Sequence, residues 1–449
     1  MSKIALIVLD TLRKDSFDEY FDWVPGSRFS NAYATSHWTV PSHASMFTGE
    51  LASEVGTYAR STTFDTERSV LAERLRNSGY KTYAFSTNGH ISPGFNFDRG
   101  FEVFEQNWRS KRLETERFPW MRHISESNYP LPVGAVEAIV ACIRSDYETV
   151  NSFKQPIQYL RRKYQIGYEF ADSGARSALS FVRSQDFAED SFLYLNLMET
   201  HAPLLPPREF RTTEYPEGGY SYSLGDKYPI GTTEEPSADR DSVRSAYDDA
   251  AQYLSYMYKR IFEQMSDFDY IITLSDHGEL LGESEMFGHS YGVAPELTHV
   301  PLVVTTPDRQ SSKIDRVVSL ADVYETILKM AGEAENESGS RHLLEEESPT
   351  PRYTEYHGIT YTERIKALRE LGVKEAGISS LDEPLYGVAT KNGCYGYGTN
   401  EGYSERGPCG SSDPESLISA HAKKSPKIVK KETEIDESIK DRLSDLGYV

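Results

Sequence analysis

Short apolar runs with no polar alternation most constrain the fold of this chain. They occupy residues 3–10 (KIALIVLD), 191–198 (SFLYLNLM), 268–276 (FDYIITLSD) and 299–306 (HVPLVVTT). Strands of this kind are covered on both faces, as in parallel sheets, whereas half-exposed strands alternate apolar and polar residues. Because helix-patterned segments separate the runs, the sequence predicts an α/β fold with a mostly parallel central sheet and helices on both faces.

Three segments between or after these runs carry helical periodicity. The longest covers 242–265 and places seven apolar residues on one stripe: Val243, Tyr247, Ala250, Leu254, Met257, Ile261 and Met265. Two shorter ones cover 67–78 and 320–331, and each is followed by a glycine, the residue that most often ends a helix. These segments are predicted to form covering helices.

The length of 449 residues accommodates a large domain and a smaller one. Residues 1–332 hold the alternating pattern and are predicted to form the α/β domain, with a partly helical insertion at about 106–190. Residues 333–449 change character, with Tyr- and Gly-rich strand candidates followed by a charged tail. A smaller C-terminal α+β lobe is expected there, and the lobe and the insertion are expected to wall the substrate pocket.

The formal net charge of −21 restricts the partners of the protein. It excludes a nucleic-acid polymer or an anionic membrane as the main partner, because both would be repelled. No apolar run is long enough to insert into a bilayer, and the first run is too short for a signal peptide, so a cytoplasmic location is expected. Cys142, Cys394 and Cys409 form no metal spacing and no even disulfide set, and reduced thiols are expected.

Polar residues with catalytic chemistry follow the ends of the predicted strands. Asp10 ends the first, Asp276 and His277 end the third, and His201 follows the second by three residues. In open parallel sheets, ligands bind beyond the carboxyl ends of the strands. Turn or capping roles explain each residue alone, but such roles would scatter them between both edges of the sheet. One site at one edge is therefore predicted.

Asp10, Asp276 and His277 offer oxygen and nitrogen ligands for one divalent cation, such as Mn²⁺, Mg²⁺, Ca²⁺ or Zn²⁺. The lack of thiolate ligands argues against a structural zinc site. The glycine after His277 permits a tight turn around a ligand. Glu279 and Glu283 are expected to orient His277 or its loop.

The stretch SHWTVPSHASMFTG, residues 36–49, concentrates hydroxyl groups and histidines at the start of a predicted helix. Thr39, with proline two residues later, resembles a helix N-cap, and Gly49 would end the helix. Contact with the metal would make the Thr39 hydroxyl a nucleophile, and the helix N-terminus favours a phosphoryl or sulfuryl anion. His43, one turn later, would bind the anion or hold the nucleophile. The stretch predicts ester cleavage through a covalent intermediate on Thr39.

Two further histidines complete the predicted site. His201 precedes a proline-rich turn, and His289 lies in a glycine-punctuated loop. One of them is predicted to protonate the leaving alkoxide. For His299, a site role and an ordinary hydrogen-bonded role stay equally open. A second metal ion would need His201, His299 and Glu199, so one metal is favoured, with His201 and His289 on the substrate.

Several ordered motifs resemble the sulfatase branch of the alkaline-phosphatase superfamily. TVPSHASMFTG is similar to the sulfatase signature, in which Cys or Ser, a variable residue, Pro, Ser and Arg precede a helix ending in TG. The family's order continues in GYKTYAFSTN…FDRGFEVF, LNLMETHAPLLPP, YDDAAQYLS and SDHGELLGE. The resemblance runs from IVLDTLR to LADVYETIL, with a similar ending in RLSDLGYV. It implies a sulfatase-like fold and hydrolysis of sulfate or phosphate esters.

Five positions depart from the sulfatase pattern. Thr39 stands where sulfatases convert Cys or Ser into formylglycine, so no formylglycine is expected. His43 replaces the signature arginine, Thr11 replaces one of two paired acidic ligands, His277 replaces an asparagine, and His289 stands in place of a lysine. A threonine with Asp-His ligation is similar to the phosphoryl-transferring relatives, such as nucleotide pyrophosphatases/phosphodiesterases and lipoteichoic acid synthases.

Together these features predict a metal-dependent hydrolase or transferase of phosphate or sulfate esters, with phosphodiester and phosphomonoester chemistry preferred. A small-molecule or saccharide-type anionic ester is the expected substrate. One alternative is a sulfuric ester hydrolase that acts without formylglycine. Another is a catalytically silent protein that binds a metal or an anion, although such a protein has no need to keep Thr39 together with Asp10, Asp276 and His277.

Overall fold

The computed structural model describes residues 2–107, 131–144, 172–216, 218–229, 239–333, 342–344, 351–410 and 412–426. The strands are β1 (Lys3–Leu9), β2 (Ser27–Tyr33), β3 (Lys81–Ser86), β4 (Val103–Gln106), β5 (Ser191–Leu197), β6 (Tyr270–Leu274), β7 (Leu280–Leu281), β8 (Phe287–Gly288), β9 (His299–Val300), β10 (Leu302–Thr305), β11 (Ser312–Ser319), β12 (Arg352–Tyr356), β13 (Leu385–Thr390), β14 (Cys394–Thr399) and β15 (Gly402–Arg406). The helices are α1 (Lys14–Tyr20), α2 (Thr39–Thr48), α3 (Ala52–Val55), α4 (Leu71–Asn77), α5 (Leu131–Arg144), α6 (Ala175–Ser184), α7 (Arg240–Phe262), α8 (Pro295–Thr298), α9 (Asp322–Met330), α10 (Thr362–Glu370), α11 (Glu375–Leu381) and α12 (Pro414–Lys424).

The central sheet has the strand order β11-β2-β10-β6-β1-β5-β3-β4, with β9 paired to β2. The pairs β6–β1, β1–β5, β5–β3, β3–β4 and β11–β2 are parallel. Strand β10 runs antiparallel to both of its neighbours, and β9 runs antiparallel to β2. The predicted mostly parallel sheet is confirmed. Its antiparallel strands are β10, which lies between β6 and β2, and the short β9.

Strand β1 shows why the apolar runs are continuous, because its side chains alternate between two separate cores. One face contributes Ile4, Leu6 and Val8 to a core that includes residues of α2, α4 and α9. The other face contributes Ala5, Ile7 and Leu9 to a core that includes residues of α1, α6 and α7. Helices therefore cover both faces of the sheet, and every residue of the run needs to be apolar.

The long predicted helix is observed as α7, followed by one 3₁₀ turn that ends at Met265. All seven residues of its predicted stripe are buried. Helix α4 starts at Leu71, four residues later than the predicted segment, because Glu73 accepts a hydrogen bond from the amide of Val70 and fixes the first turn there. Gly79 follows in a left-handed conformation with φ of 94°.

Helix α2 differs from the prediction at its start. Thr39 is its first helical residue and Trp38 holds the N-cap position, so the Thr39 hydroxyl caps no backbone amide of the helix. That hydroxyl instead contacts side chains from other elements, which are described below. The predicted end is confirmed, since Gly49 adopts the left-handed conformation at the C-cap.

The C-terminal segment forms a small antiparallel sheet in the order β12-β13-β14-β15, accompanied by α10, α11 and α12. The predicted smaller α+β lobe is therefore present. Strand β12 packs on the chain between β2 and α2, where Thr354 donates a hydrogen bond of 2.7 Å to the carbonyl of Ala34 and the amide of Glu355 donates one of 2.9 Å to the carbonyl of Thr35. The lobe thus adjoins the segment that leads to Thr39.

Part of the predicted insertion lies within the described residues. GAVEAIVACI falls in α5, as expected for a helical stretch, and α6 covers the end of the insertion. The stretch PIQYLRRKY and the charged tail beyond 426 lie outside the described residues. None of the helices that the structure describes is both long and apolar enough to span a bilayer.

The cysteine prediction is wrong for two of the three residues. Cys394 and Cys409 form a disulfide, with their Cα atoms 4.6 Å apart, whereas Cys142 is buried and takes no part in that disulfide. Cys394 starts β14 and Cys409 follows β15, so the hairpin returns the chain to its starting point. Spacing along the sequence does not reveal such a pair because hairpin pairing creates the proximity.

Candidate active site

Strand pairing brings Asp10 and Asp276 together at the carboxyl edge of the sheet. Strands β1 and β6 are parallel neighbours in which Val8 pairs with Leu274. Each aspartate lies two residues beyond that pair, so equal lengths of chain carry both carboxylates to the same level. Both side chains are fully buried. The predicted meeting of these residues at one edge is observed.

Each of the two carboxylates keeps one oxygen without a hydrogen-bond partner. Asp10 Oδ2 accepts hydrogen bonds from Asn88 Nδ2 at 2.8 Å and from Asn196 Nδ2 at 3.2 Å, whereas its Oδ1 has none. Asp276 Oδ1 accepts from the amides of Thr11 at 3.3 Å and His277 at 3.1 Å, whereas its Oδ2 has none. A buried carboxylate oxygen without a partner is costly, and a cation beside it removes that cost.

Burial and, to a smaller extent, the neighbouring charge of Asp276 raise the pKa of Asp10 to about 7, against the opposing effect of His277. Burial likewise raises the pKa of Asp276 to about 7. Two carboxylates in this environment resist ionising together at neutral pH unless positive charge is supplied. The electrostatics of the pair therefore suit a bound cation.

His277 presents an unprotonated nitrogen to the same point. Its Nδ1 lies 2.9 Å from the carbonyl of Gly278, which only accepts hydrogen bonds, so Nδ1 carries the proton. The unprotonated Nε2 therefore offers its lone pair to a metal ion. Nε2 is 3.5 Å from Asp276 Oδ2 and 4.0 Å from Asp10 Oδ1. Burial lowers the pKa of His277, which keeps the ring neutral. Ligand atoms of the three residues lie within 4.8 Å of one another, a donor set that fits a divalent cation.

Thr39 places its hydroxyl against this group of ligands. Its Oγ1 is 3.3 Å from His277 Nε2 and 3.3 Å from Asn88 Nδ2. Asn88 is oriented by its own Oδ1, which accepts a hydrogen bond of 2.9 Å from the amide of His90, so its amide nitrogen faces Thr39 and Asp10. The Thr39 side chain is 1% exposed and lies at the N-terminus of α2, where backbone dipoles favour an anion.

His43 lies on the buried side of Thr39. Its Nδ1 donates a hydrogen bond of 2.8 Å to the carbonyl of Thr39 and lies 3.6 Å from Asp276 Oδ2. The ring packs edge-on against Phe47, Phe97 and other aromatic rings. Burial lowers the pKa of His43 to about 3, so the ring is neutral. This placement suits the predicted holding of the nucleophile better than direct contact with an anion.

His201 and His289 face each other across the site. Their ring centroids are 5.1 Å apart, and the ring of His289 lies 4.5 Å from that of His277. His201 Nδ1 donates to the carbonyl of Ala202 at 2.6 Å, which leaves Nε2 without a proton in the neutral ring. Burial and the nearby charge of His277 lower the pKa of His289 well below its ordinary value. The structure thus brings all seven predicted site residues into one group.

The chain that carries this group of residues is similar to known proteins in sequence and in structure. A family model described as Sulfatase matches residues 11–333. The chain belongs to the sulfatase family. It is 21% identical over 334 residues to the uncharacterized sulfatase YidJ of Escherichia coli (strain K12), a match that covers 68% of this chain and 61% of that protein. The chain therefore spans about three fifths of the length of this curated relative.

Solved structures share the fold of this chain. The phosphonate monoester hydrolase of Agrobacterium radiobacter superposes with a TM-score of 0.60 at 17% identity and 94% coverage of both chains. BT4656, solved in complex with its substrate D-glucosamine-2-N,6-O-disulfate, superposes with a TM-score of 0.55 at 15% identity, covering 99% of this chain and 98% of that one. At these identities the likeness concerns the fold.

In this sulfatase-family site, Glu279 contacts a different histidine from the one predicted, whereas Glu283 fixes the loop as predicted. Both carboxylate oxygens of Glu279 lie 3.2 Å from Nδ1 of His289, so Glu279 orients that histidine instead of His277. Glu283 accepts hydrogen bonds from Arg13 at 2.8 Å and from the amide of Leu281, which fixes the loop. Strands β7 and β8 pair antiparallel with Leu280 opposite Gly288, so Glu279 before β7 lies beside His289 after β8, which explains the change of partner.

Two of the three residues considered for a second metal ion, His299 and Glu199, form other contacts. His299 contacts the carbonyl of Ser30 at 2.7 Å and stacks on Tyr33, which is the ordinary hydrogen-bonded role. Glu199 accepts a hydrogen bond of 2.8 Å from the amide of Ala175 at the start of α6. Within the described parts of the chain, one group of three acidic or histidine residues meets at metal-binding distance.

Asn88, Asn196 and His37 were not predicted from the sequence. Asn88 follows β3 by two residues and Asn196 lies near the end of β5, so the rule that polar groups beyond strand ends form the site applies to both. His37 is buried against Tyr356, and its Nε2 has no hydrogen-bond partner. The sequence feature that points to His37 is its position two residues before Thr39, because His37 does not directly follow the end of a strand.

Proposed function

We propose that this sulfatase-family protein hydrolyses phosphate or sulfate esters, with phosphomonoesters or phosphodiesters preferred and with Thr39 as the nucleophile. The observation that carries the proposal is the position of Thr39 Oγ1, 3.3 Å from His277 Nε2 and beside two buried carboxylates with free oxygens. A threonine hydroxyl that only stabilised the fold would not need such a setting. The proposed substrate is a small-molecule or saccharide-type ester.

Asp10, Asp276, His277 and the Thr39 hydroxyl would hold one divalent cation. Such an ion supplies Lewis-acid stabilisation of negative charge on the Thr39 oxygen and on the bound ester. Asn88 supports the same charge, because its amide nitrogen already points at Thr39 Oγ1. Asn196 and Asn88 together hold Asp10 so that its free oxygen faces the site.

In the proposed reaction, Thr39 Oγ1 forms a bond to phosphorus or sulfur while the bond to the leaving alkoxide breaks. The Thr39 proton passes through a histidine to the leaving oxygen. Water then forms a bond to the same centre, the bond to Oγ1 breaks, and Thr39 regains a proton. In this scheme Thr39 carries the phosphoryl or sulfuryl group between the two steps.

His201 and His289 are the proposed proton carriers. The proton of the neutral His201 ring is committed to Ala202, so Nε2 accepts a proton before it can donate one. His289 loses protons readily because its pKa is low, which makes its protonated form a strong acid. A bound anionic ester favours the protonated rings and so prepares them for the leaving group.

Two observations bear on the choice between phosphate and sulfate. Ligation by Asp276 and His277 with a threonine nucleophile supports phosphate esters, as in the phosphoryl-transferring relatives. Membership of the sulfatase family favours sulfate esters, which present a similar tetrahedral anion. Cleavage of sulfate esters without formylglycine is therefore the second candidate function.

The test is turnover of nitrophenyl sulfate, nitrophenyl phosphate and bis-nitrophenyl phosphate, each with added Mn²⁺ or Ca²⁺ and with chelator. We expect a phosphate ester to be cleaved fastest, and we expect both chelator and Thr39→Ala to abolish turnover. Thr39→Ser, which retains a hydroxyl, should keep measurable activity. Thr48→Ala, at the other end of the same helix, is the matched control and should stay active.

Acid quenching during turnover, followed by mass spectrometry, should find the phosphoryl group on Thr39. Faster cleavage of the sulfate would support the second candidate function instead. Turnover that is unchanged in Thr39→Ala would overturn the assignment of the nucleophile. A protein that binds metal yet cleaves none of the esters would favour a silent fold.

A further inference from the structure

Arg364 reaches the proposed active site from the C-terminal lobe. It lies in the first turn of α10, and its Nη1 donates a hydrogen bond of 3.2 Å to Ser290 Oγ. Ser290 directly follows His289, whose ring lies 4.5 Å from that of the metal-ligand candidate His277. One contact therefore connects the guanidinium to the loop that carries a proposed proton carrier.

A second series of contacts connects Arg364 to the proposed active site through Tyr361. The Arg364 guanidinium lies 5.8 Å from the centroid of the Tyr361 ring, and the Tyr361 hydroxyl is hydrogen-bonded to His90 Nε2. The amide of His90 in turn holds Asn88, which contacts Thr39. Arg364 thus contacts the loop of His289 directly and is connected through Tyr361 and His90 to Asn88, which orients the nucleophile.

The positive charge of Arg364 affects the pKa values of several side chains near the site. Burial is the main cause of the low pKa values of His37, His90 and His289, and the positive charge of Arg364 lowers each of them further. Burial and the same charge lower the pKa of Lys227 to about 8. The Arg364 side chain is itself half-buried.

Arg364 differs from other arginines in its surroundings. Arg13, Arg60 and Arg369 each form an ion pair with a carboxylate. Among the residues that the structure describes, no carboxylate forms an ion pair with Arg364, whose contacts include the Ser290 hydroxyl, the Tyr228 hydroxyl and the Tyr361 ring. A half-buried guanidinium without a counterion gains most from an anionic ligand, and its planar fork matches a carboxylate, sulfate or phosphate.

We propose that Arg364 and Ser290 form a second anion-binding site, which holds an additional carboxylate, sulfate or phosphate group of the ester substrate. The inference rests on the proposed function and narrows it to esters with at least two anionic groups. The reacting group lies at Thr39 and the second group lies towards the C-terminal lobe. Arg364 contacts substrate in this scheme without taking part in bond making or breaking.

The experiment compares phenyl phosphate with its three carboxyphenyl phosphate isomers, which differ from it by one carboxylate. Binding is measured by calorimetry on the metal-loaded Thr39→Ala protein, so that no ester is consumed. We expect at least one carboxylated isomer to bind about tenfold to a hundredfold more tightly than phenyl phosphate. Arg364→Gln should remove that preference and leave the affinity for phenyl phosphate within about twofold.

Arg369→Gln is the matched control, since Arg369 lies on the same helix and forms an exposed ion pair with Glu375. It should keep the preference for the carboxylated isomer. Arg364→Lys keeps the charge but not the fork, and should retain part of the preference. If Arg364→Gln fails to fold, the comparison of ligands in the Arg364 protein and in Arg364→Lys still decides the question.

Equal affinity for all the esters in the Arg364 protein would overturn the inference, and so would a preference that persists in Arg364→Gln. Failure of the proposed function would give a different combination of turnover and binding results. In that case no ester is turned over by the Thr39 protein, yet a carboxylate preference that depends on Arg364 still marks an anion site. Normal turnover without any preference would leave the proposed function intact and remove the second site.

Discussion

The side-chain amide nitrogen of Asn88 lies 3.3 Å from the hydroxyl oxygen of Thr39. The same nitrogen donates a hydrogen bond of 2.8 Å to Asp10. One amide group therefore fixes the distance between the proposed nucleophile and a proposed metal ligand. Because Asn88 Oδ1 is committed to His90, the amide cannot rotate away without losing a second hydrogen bond.

Replacement of Asn88 by Ala should lower kcat about a hundredfold with a smaller change in KM, because a donor to the charged Thr39 oxygen is lost. Asn77→Ala, at an exposed position at the end of α4, should leave both constants unchanged. Steady-state kinetics on the preferred nitrophenyl ester measure the difference. An Asn88→Ala protein with unchanged kcat would remove Asn88 from the proposed mechanism.

Metal-free protein should lose stability as the pH rises. The pKa values of Asp10 and Asp276 are raised to about 7 from 3.8, so their stabilising effect is complete below pH 4 and is lost as the pH rises through about 7. In chelator, the Tm of Asp276→Asn should therefore exceed that of the unmodified protein by more at pH 8 than at pH 5. Thermal unfolding across this range measures the effect.

Added metal should reverse that trend, because a bound divalent cation offsets the repulsion between the two carboxylates. The rise in Tm on addition of Mn²⁺ or Ca²⁺ should be larger at pH 8 than at pH 5, where protons compete for the same oxygens. A metal effect that does not depend on pH, or that persists in Asp276→Asn, would contradict a site formed by these ligands.

Gly278 should tolerate no side chain. A Cβ atom there would lie 2.0 Å from the backbone oxygen of Glu296, so Gly278→Ala must displace the loop that holds His277. We expect a loss of about 2 kcal/mol or more in the free energy of unfolding, together with weaker metal binding. Gly377→Ala is the control, because Gly377 lies inside α11 with its nearest neighbour at 3.4 Å and should be neutral or stabilising. Urea unfolding and metal titration measure both variants.

Glu355 should stabilise the contact between the lobe and the main sheet in a pH-dependent manner. Burial opposes its ionisation, but hydrogen bonds of 2.9 Å from His357 and His421 lower its pKa to about 2 from 4.5. The stabilisation is present above pH 4.5 and is lost as the pH falls towards 2. Glu355→Gln should cost about 2 kcal/mol in the free energy of unfolding at pH 7 and progressively less below pH 4.5.

Denaturant unfolding at a series of pH values measures the Glu355 effect. Glu401→Gln, at an exposed turn between β14 and β15, provides the control and should cost nothing. A Glu355→Gln penalty that stays constant down to pH 2 would show that packing, not charge, carries the stabilisation.

Thiol titration should find one reactive thiol in the denatured, unreduced protein and three after reduction, since the disulfide joins Cys394 and Cys409 and does not include Cys142. Cys409→Ser should lower the free energy of unfolding of the oxidised protein by about 3 kcal/mol, the effect expected for opening a loop of 15 residues. Three thiols without reductant would contradict the disulfide.

Features with a strong local pattern could be predicted from the sequence. The continuous apolar runs predicted β1, β5 and β6, and the seven-residue stripe predicted the buried face of α7. The rule that ligands bind beyond parallel strand ends then predicted the meeting of Asp10 with Asp276. These predictions succeed because burial imposes a pattern on consecutive residues.

Features that depend on the path of a loop were harder to predict. Glu279 lies two residues from His277 in the chain, yet the turn between β7 and β8 directs it to His289. The disulfide depends in the same way on the hairpin of β14 and β15. Arg364 carries no pattern at all, since nothing near it in the sequence shows that α10 approaches the loop of Ser290.

The pairing of β1 with β5 and β6 has a consequence for synthesis of the protein. The neighbours of β1 in the sheet are made about 190 and 270 residues after it. Until residue 276 has emerged, the nascent chain lacks both Asp276 and His277, and the apolar strand β1 lacks its partner β6. The proposed active site therefore cannot assemble until β6 has paired with β1. During that interval the unpaired apolar strand β1 is exposed to binding by chaperones.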